Sequence, residues 1–296
     1  MRSDDWYVTE DLDRFLGHAG GFLRSRPDLH TVALTVTESL RTRGLRAYGG
    51  DEPPVFGVME RDGQVRGAYF RTPPYRLNVT PLTADETDAL AAHLVAVGHS
   101  VPGIIGTRET AAGFIRSWQR HTGATSALRQ RQRLYRLGML MMPQPVPPGA
   151  ARVAGEKDRD LLIRWYGEFT ESVGEHAAGE VEAWADHRIA YGGVTLWEDA
   201  DGTPVSMCGV TPMVAGQVRI APVYTPPHLR GRGYAGAVTV EVSRAAVRAG
   251  AEEVLLFTDL TNTTTNVLYQ RLGYRAVADF EVHDFSGGAG TQAPPA

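Results

Sequence analysis

Apolar positions recur every three or four residues in some stretches of the chain and alternate in others, and the switches between these rhythms divide it into elements. Helical spacing marks 11–23, 31–43, 84–98 and 108–122. Alternation on either side of Asp62-Gly63 marks a hairpin of strands at 55–60 and 64–71, because Asp-Gly favours a two-residue turn. Beyond 150 the same kinds of element return. Helices are expected at 158–172 and 180–191, a hairpin at 193–198 and 205–211 around Asp201-Gly202, and a strand at 217–224. A helix at 233–248 closed by Gly250, a strand at 254–258, a short helix at 264–272 and a strand region at 274–285 follow. The run MLMMPQPVPPG at 139–149 carries too much proline for a helix and reads as an extended linker. Before it, 126–140 is a basic segment, apolar-periodic or extended, and its arginines from Arg129 to Arg136 read as a solvated face or a phosphate patch.

Strands interleaved with helices indicate an α/β (α+β) architecture with a mixed sheet. The order of elements in the second half echoes the first, and each half has a T-P-P turn after a strand, Thr72-Pro73-Pro74 and Thr225-Pro226-Pro227. An internal duplication follows from that reading, with units at 1–142 and 150–285 joined by a linker at 143–149. The tail 286–296, SGGAGTQAPPA, has too few apolar residues to fold. The 296 residues, 43% hydrophobic and 22% charged, describe an ordinary globular composition. One cysteine, Cys208, excludes a disulfide framework and any multi-cysteine zinc site, and it is expected to pack in a strand. The acidic opening MRSDDWYVTEDLDRF lacks a basic then apolar leader, and no apolar run is long enough to span a membrane, so a cytoplasmic protein is expected. A net charge of −4 argues against a dedicated nucleic-acid binder. All basic side chains but Lys157 are arginine.

Chemistry is most legible at 219–236, RIAPVYTPPHLRGRGYAG. A strand passes through two prolines into Arg230-Gly231-Arg232-Gly233-Tyr234-Ala235-Gly236, where a helix begins. Glycines let the backbone turn with positive φ and leave the N–H groups of the helix start unblocked. Such an end favours an anion by about 0.3–1 kcal/mol through the helix dipole, and Arg230 and Arg232 add full charges. The plain alternative is a glycine-rich turn with no ligand. Gly231, Gly233 and Gly236 also fit G-x-G-x-x-G, with Asp259 as the acid of a dinucleotide site. Against a dinucleotide fold, Pro226-Pro227-His228-Leu229 separate the glycines from the strand, and too little chain follows for the remaining strands.

Arg230, Gly233 and Ala235 meet the pattern R/Q-x-x-G-x-G/A, while Asn262, Tyr269, Gly273 and Tyr274 meet a second one, asparagine then tyrosine seven residues on and G-F/Y. Together they resemble the GNAT acyltransferase superfamily. The stretches VYTPPHLRGRGYA and TDLTNTTTNVLYQRLGY are similar to bacterial acetyltransferases built from two tandem GNAT-like halves. The resemblance is strong over about 190–285 and weaker in the first half. It implies a mixed, mostly antiparallel sheet flanked by helices in each half, acetyl-CoA as co-substrate, and no metal. Val223, Tyr224 and Thr225 would pair through their backbone with the pantetheine arm. The amides of Arg230, Gly231, Arg232, Gly233, Tyr234, Ala235 and Gly236 would hold the pyrophosphate, and Asn262 would bond the pantetheine. Tyr269 would stand beside the thioester sulfur, where a positioned phenol of ordinary pKa about 10 protonates a leaving thiolate better than water does. Otherwise Tyr269 is a core aromatic packed with Leu272. Asn266 lines the same site or caps the helix start.

Relatives place a glutamate on the strand before the loop, but QVRIAP at 217–222 offers no carboxylate. The candidate bases lie instead in EFTESVGEHAAGEVEAWADHR, with Glu171, Glu175 and His176 foremost and Glu168, Glu180, Glu182 and Asp186 beside them. Glu168, Glu171 and Glu175 share one face if the helix continues past Gly174. Such a face would attract a cationic amine, or would simply be solvated. The first half has no matching loop, and 70–83 contains no glycine, so it is expected to be a degenerate copy that does not hold CoA in the same way. The resemblance implies direct transfer of an acetyl or other acyl group to a primary amine of a small molecule within a ternary complex. The alternatives are a non-catalytic acyl-CoA-binding or regulatory protein, and an acyltransferase with a macromolecular acceptor or a carrier other than CoA, for which Arg129 to Arg136 are the best support. A homodimer is compatible with each.

Overall fold

The structure, a computed structural model, describes residues 6–50, 52–174 and 181–287. The first half runs β1 (Trp6–Thr9), α1 (Leu12–Ser25), α2 (Thr31–Arg43), β2 (Val55–Arg61), β3 (Gln64–Arg71), β4 (Leu77–Val79), α3 (Ala84–Ala96), β5 (Gly103–Thr107) and α4 (Arg108–Thr122), then the long strand β6 (Thr125–Leu137). The second half repeats that order element for element. It comprises β7 (Ala150–Val153), α5 (Arg159–Ser172), α6 (Val181–Ala190), β8 (Val194–Glu198), β9 (Pro204–Val210), β10 (Gln217–Tyr224), α7 (Tyr234–Arg248), β11 (Glu253–Asp259) and α8 (Thr263–Arg271), then the long strand β12 (Tyr274–Ser286).

Local chemistry sets several of these boundaries. Asp11 accepts the Arg14 N–H at 3.0 Å and so starts α1. Asp62 and Gly63 both take positive φ, 56° and 72°, as the tight turn between β2 and β3 requires. The short strands β1, β4, β5 and β7 are absent from the elements that periodicity predicts. Each holds only a few residues, too few for a periodic signal, and each exists because a distant strand pairs with it. The two T-P-P turns are not equivalent: Thr72-Pro73-Pro74 follows β3, whereas Thr225-Pro226-Pro227 follows β10. The counterpart of the latter is Thr80-Pro81, after β4.

Two compact units result, one taking in the chain up to Leu134, Asp259–Thr261 and everything from Val277 on, the other Tyr135–Thr258 and Asn262–Ala276. In the first unit the strands run β1-β2-β3-β4-β5 and then the C-terminal part of β12. Only the β4–β5 pair is parallel there. Its core packs Phe114 and Trp118 of α4 against Phe285, whose ring lies 6.1 Å from each. The arginines of β6 in this unit are neither a phosphate patch nor a bare solvated face. Arg129 bonds Asp284, Arg131 bonds Glu281 at 3.3 Å, and Arg133 grips Asp279 with two bonds of 2.6 and 2.8 Å. In the second unit the order is β11-β10-β9-β8-β7, with β10–β11 the parallel pair. One apolar cluster lies under α7 and α8 and another under α5 and α6. No helix among the described residues is long and apolar enough to cross a membrane.

Phe285 is fully buried although it stands near the chain's end. Phe285→Ala should destabilise the first unit by about 3–5 kcal/mol, the cost of a large buried cavity. A urea midpoint unmoved from wild type would contradict this packing.

Candidate active site

Strand β10 is the axis of the site. Its first residues pair in parallel with β11, from Gln217↔Glu253 to Ile220↔Leu256, and the pairing ends there. On its other side β10 pairs with β9, but the register shifts between Ile220 and Val223. Pro222 sits in that shift and has no N–H to give to a ladder. Val223 and Tyr224 keep their β9 partners, Cys208 and Met207, while the edge that faced β11 is free of it. The sequence pattern places Val223, Tyr224 and Thr225 at this edge. Thr225 is fixed by a 2.8 Å bond with Ser206.

Beyond Thr225 a 3-10 turn (Pro227–Leu229) leads to the loop. The Nε of Arg230 donates to the Thr225 carbonyl at 3.0 Å, and Arg232 reaches the His228 carbonyl at 3.4 Å. Gly231 and Gly233 take φ of 77° and 85°, which disfavours any side chain there. Gly233 is the N-cap of α7, and no side chain caps that helix. The first N–H of α7 to find a backbone acceptor is that of Ala237, on Gly233. Among the described residues, the N–H groups of Gly231, Arg232, Gly233, Tyr234, Ala235 and Gly236 therefore have no backbone acceptor. Gly236 has a packing role as well: a Cβ there would lie 3.2 Å from Leu268 of α8. The proline-rich stretch lines this end, since Cβ atoms at Gly233 and Gly236 would meet Pro147 and Pro143 at 3.6 and 3.9 Å.

Helix α8 brings the second group of residues. Asn262 caps it, accepting the Thr265 N–H at 3.1 Å, and is exposed. Asn266 is turned inward: its Oδ1 accepts from Tyr135 at 3.0 Å and Thr258 at 2.7 Å, and its Nδ2 donates to the Asn262 carbonyl at 2.8 Å. These bonds tie α8 to β11 and to the end of β6, so Asn266 acts as a clamp. Tyr269 lies in the second turn of α8 and is buried edge-on to Tyr274 with centroids 5.9 Å apart. Burial pushes its phenol well above the ordinary tyrosine value, with the nearby Cys208 adding to the effect. Gly273, the next signature position, takes φ 97°, and a Cβ there would collide with the Met139 carbonyl. Cys208 is buried and its thiol is pushed up to about 12 by burial, so it is neutral at ordinary pH and packs.

The acidic face expected on α5 does not form. The helix ends at Ser172 and Gly174 takes φ 71°, so among the described residues only Glu168 and Glu171 stand on it. Glu171 is exposed, whereas Glu168 accepts a 2.7 Å bond from the Tyr224 hydroxyl on β10. Burial and that carboxylate push Tyr224 up to about 12. Asp186 is bound in two bonds by Arg159, which holds its carboxyl below the usual range, and Glu182 is exposed. Glu175, His176 and Glu180 lie outside the described residues. No motif points to Arg188 on α6, whose guanidinium reaches the carbonyls of Val210 and Ala221. No group of three or more His, Cys, Asp or Glu able to hold a metal occurs among the described residues.

The corresponding corner of the first unit is built otherwise. Strand β4 also parts from β5, after Asn78↔Ile105. There, however, Thr110 accepts the Leu82 N–H at 2.9 Å and bonds the Leu82 carbonyl at 3.4 Å. The start of α3 is closed by a capping box, in which Thr83 takes the Glu86 N–H and Glu86 takes the Thr83 N–H at 2.8 Å. The N–H groups of Leu82, Thr83 and Glu86 thus find acceptors within the first unit.

A meander of antiparallel strands and a parallel pair that parts, followed by a helix, give the GNAT fold; both units repeat this order, and the helix start is uncapped in the second. Residues 210–282 match the family model of FR47-like protein. The whole chain is similar in fold to a GCN5-related N-acetyltransferase from Sphaerobacter thermophilus, with TM-score 0.59, 18% identity and 95% of each chain covered. It is similar as well to a GNAT-family acetyltransferase from Colwellia psychrerythraea, with TM-score 0.59, 11% identity, and 95% of this chain and 98% of that one covered. A tandem GNAT protein from the clavulanic acid biosynthesis pathway gives TM-score 0.55 at 14% identity over 97% and 99% of the two chains. No curated protein sequence matches.

If Asn266 is a clamp, Asn266→Ala takes the acceptor from the Tyr135 and Thr258 hydroxyls, with Gln270 still donating to Tyr135, and should cost about 1–3 kcal/mol of stability. Guanidinium unfolding measures this; a variant as stable as wild type would make Asn266 a free ligand-binding group instead.

Proposed function

We propose that this protein is an acyl-CoA-dependent N-acyltransferase, using acetyl-CoA and the primary amine of a small molecule, in the cytoplasm. One observation carries the reading: the uncapped run of N–H groups from Gly231 to Gly236 at the point where β10 parts from β11. N–H groups so aimed, with Arg230 and Arg232 beside them, suit a pyrophosphate. An edge of β10 that β11 has left suits an amide-bearing arm laid alongside as an added strand. Phosphate cradle and amide-pairing edge in sequence match the two chemical halves of CoA. The FR47-like match covers this same region.

In this reading Val223 to Thr225 align the pantetheine arm, and the cradle fixes its far end. Glu168, oriented by Tyr224 and with no basic partner among the described residues, receives the proton of the incoming ammonium. The freed amine attacks the thioester carbon and the C–S bond breaks. Tyr269 is protonated at neutral pH, as any phenol of pKa about 10 or above is, and is assigned as the donor to the departing sulfur. The phenol passes that proton to sulfur and is restored by the proton the new amide nitrogen sheds. Holding both reactants in one cleft supplies much of the acceleration, and no covalent enzyme intermediate is needed. A second reading, an acyl-CoA-binding protein without transfer, draws on the absence of a carboxylate from β10.

Thiol release from acetyl-CoA, followed with a panel of primary amines that includes tyramine and spermidine, separates the two. Tyr269→Phe should lower kcat by about 10²-fold or more while the Kd for acetyl-CoA stays near wild type. Acetyl-CoA that binds without any amine giving product would favour the binding protein; acetyl-CoA that fails to bind would end both readings.

The internally satisfied corner of the first unit leads to a further expectation, one acetyl-CoA per chain. Calorimetric titration reads that number directly. Two equivalents would mean that Glu86 and Thr110 do not exclude a ligand.

A further inference from the structure

Beside the register shift between β9 and β10, one side chain gathers two backbone carbonyls. Arg188 of α6 donates through Nη2 to the Ala221 carbonyl at 3.1 Å and through Nη1 to that of Val210. Tyr191 joins the arrangement, taking a 2.7 Å bond from Arg188 and giving one of 2.9 Å to Val210. Ala221 precedes Pro222, and Val223 follows, so the fork grips β10 immediately before the edge assigned to the donor. The guanidinium also lies 5.5 Å from the Trp184 ring. Trp184 stacks at 4.0 Å, nearly parallel, on Tyr166 of α5, two residues before Glu168. Glu168 returns to β10 through Tyr224. The contacts thus close a circuit from α5 to α6 to β10 and back.

We propose that Arg188 is a positioning residue for acyl transfer, fixing the donor edge of β10 relative to the carboxylate that meets the amine. The inference rests on the acyltransferase reading. A guanidinium fork suits this role because it is planar, permanently charged, and offers parallel N–H bonds to two acceptors at once. A lysine supplies the charge but a single donor centre. The pyrophosphate cradle begins beyond Thr225 and does not depend on this fork, so donor affinity and transfer rate should respond differently.

The test compares wild type with Arg188→Ala and Arg188→Lys, with acetyl-CoA as donor and the fastest amine of the panel as acceptor. In Arg188→Ala the Kd for acetyl-CoA should stay within about threefold while the single-turnover rate falls by about 10²-fold, as a misplacement near 1 Å produces. Arg188→Lys should recover little of it. Added methylguanidinium should restore rate to Arg188→Ala, and the infrared carbonyl stretch of bound acetyl-CoA, labelled with carbon-13, should move towards its free position in the variant and back on rescue. An unchanged rate, or a rate and affinity lost together in step with the folded fraction and not rescued, overturns the proposal. Should wild type itself neither bind acetyl-CoA nor transfer, the acyltransferase reading falls and this inference with it; failure confined to the variants removes the inference alone.

Discussion

Parallel strands stay together only while each N–H meets a carbonyl on its neighbour, and β10 ceases to meet that condition after Ile220. A proline in the register shift removes a donor, a shift against β9 turns the strand, and β11 continues to Asp259 without β10. The loop that follows must then climb from a strand end to a helix start across the gap, which is why Gly231 and Gly233 adopt positive φ. Because Gly233 has no side chain to offer as a cap, the first turn of α7 keeps its donors. The parting of two strands therefore produces both an open edge and an open helix end.

The same topology without those openings is present in the first unit, and the comparison isolates what makes a site. β4 parts from β5 as β10 does from β11, yet only a few residues separate β4 from α3. Thr110 occupies the hydrogen-bonding capacity of Leu82, and the Glu86 carboxylate both closes the start of α3 and brings negative charge where an anion would have to come. Fold alone, then, does not confer the site. Loop length, glycine at the turn and the absence of a cap do.

Much of this is legible in the sequence because it rests on local rules. Periodicity and Asp-Gly turns locate the helices and hairpins, and the glycine and arginine spacing marks the start of α7 within a residue. What escapes depends on contacts distant in sequence. β4 and β5 are short runs recognisable only by each other's presence. The fate of the arginines on β6 turns on carboxylates about 150 residues away. Glu168 and Glu171 are alike in sequence, and only the position of Tyr224 distinguishes them. Arg188 serves backbone carbonyls, which every residue possesses, so no pattern of side chains could announce it.

Charge is where formal counting is least informative and pairing most. The net value of −4 conceals two populations of arginine. Those on β6 face carboxylates of β12 and β11, including Arg136 with Glu253 at 3.2 Å, and pairing of this kind leaves little field at the surface. Arg230 and Arg232 differ, since they donate to the neutral carbonyls of Thr225 and His228, and those bonds orient a guanidinium without cancelling its charge. Added to a helix end whose donors are unspent, they concentrate positive potential in one place on a mildly acidic protein. An anionic ligand would be drawn to that place by contrast with its surroundings, and neither the glycines nor the arginines alone would produce it.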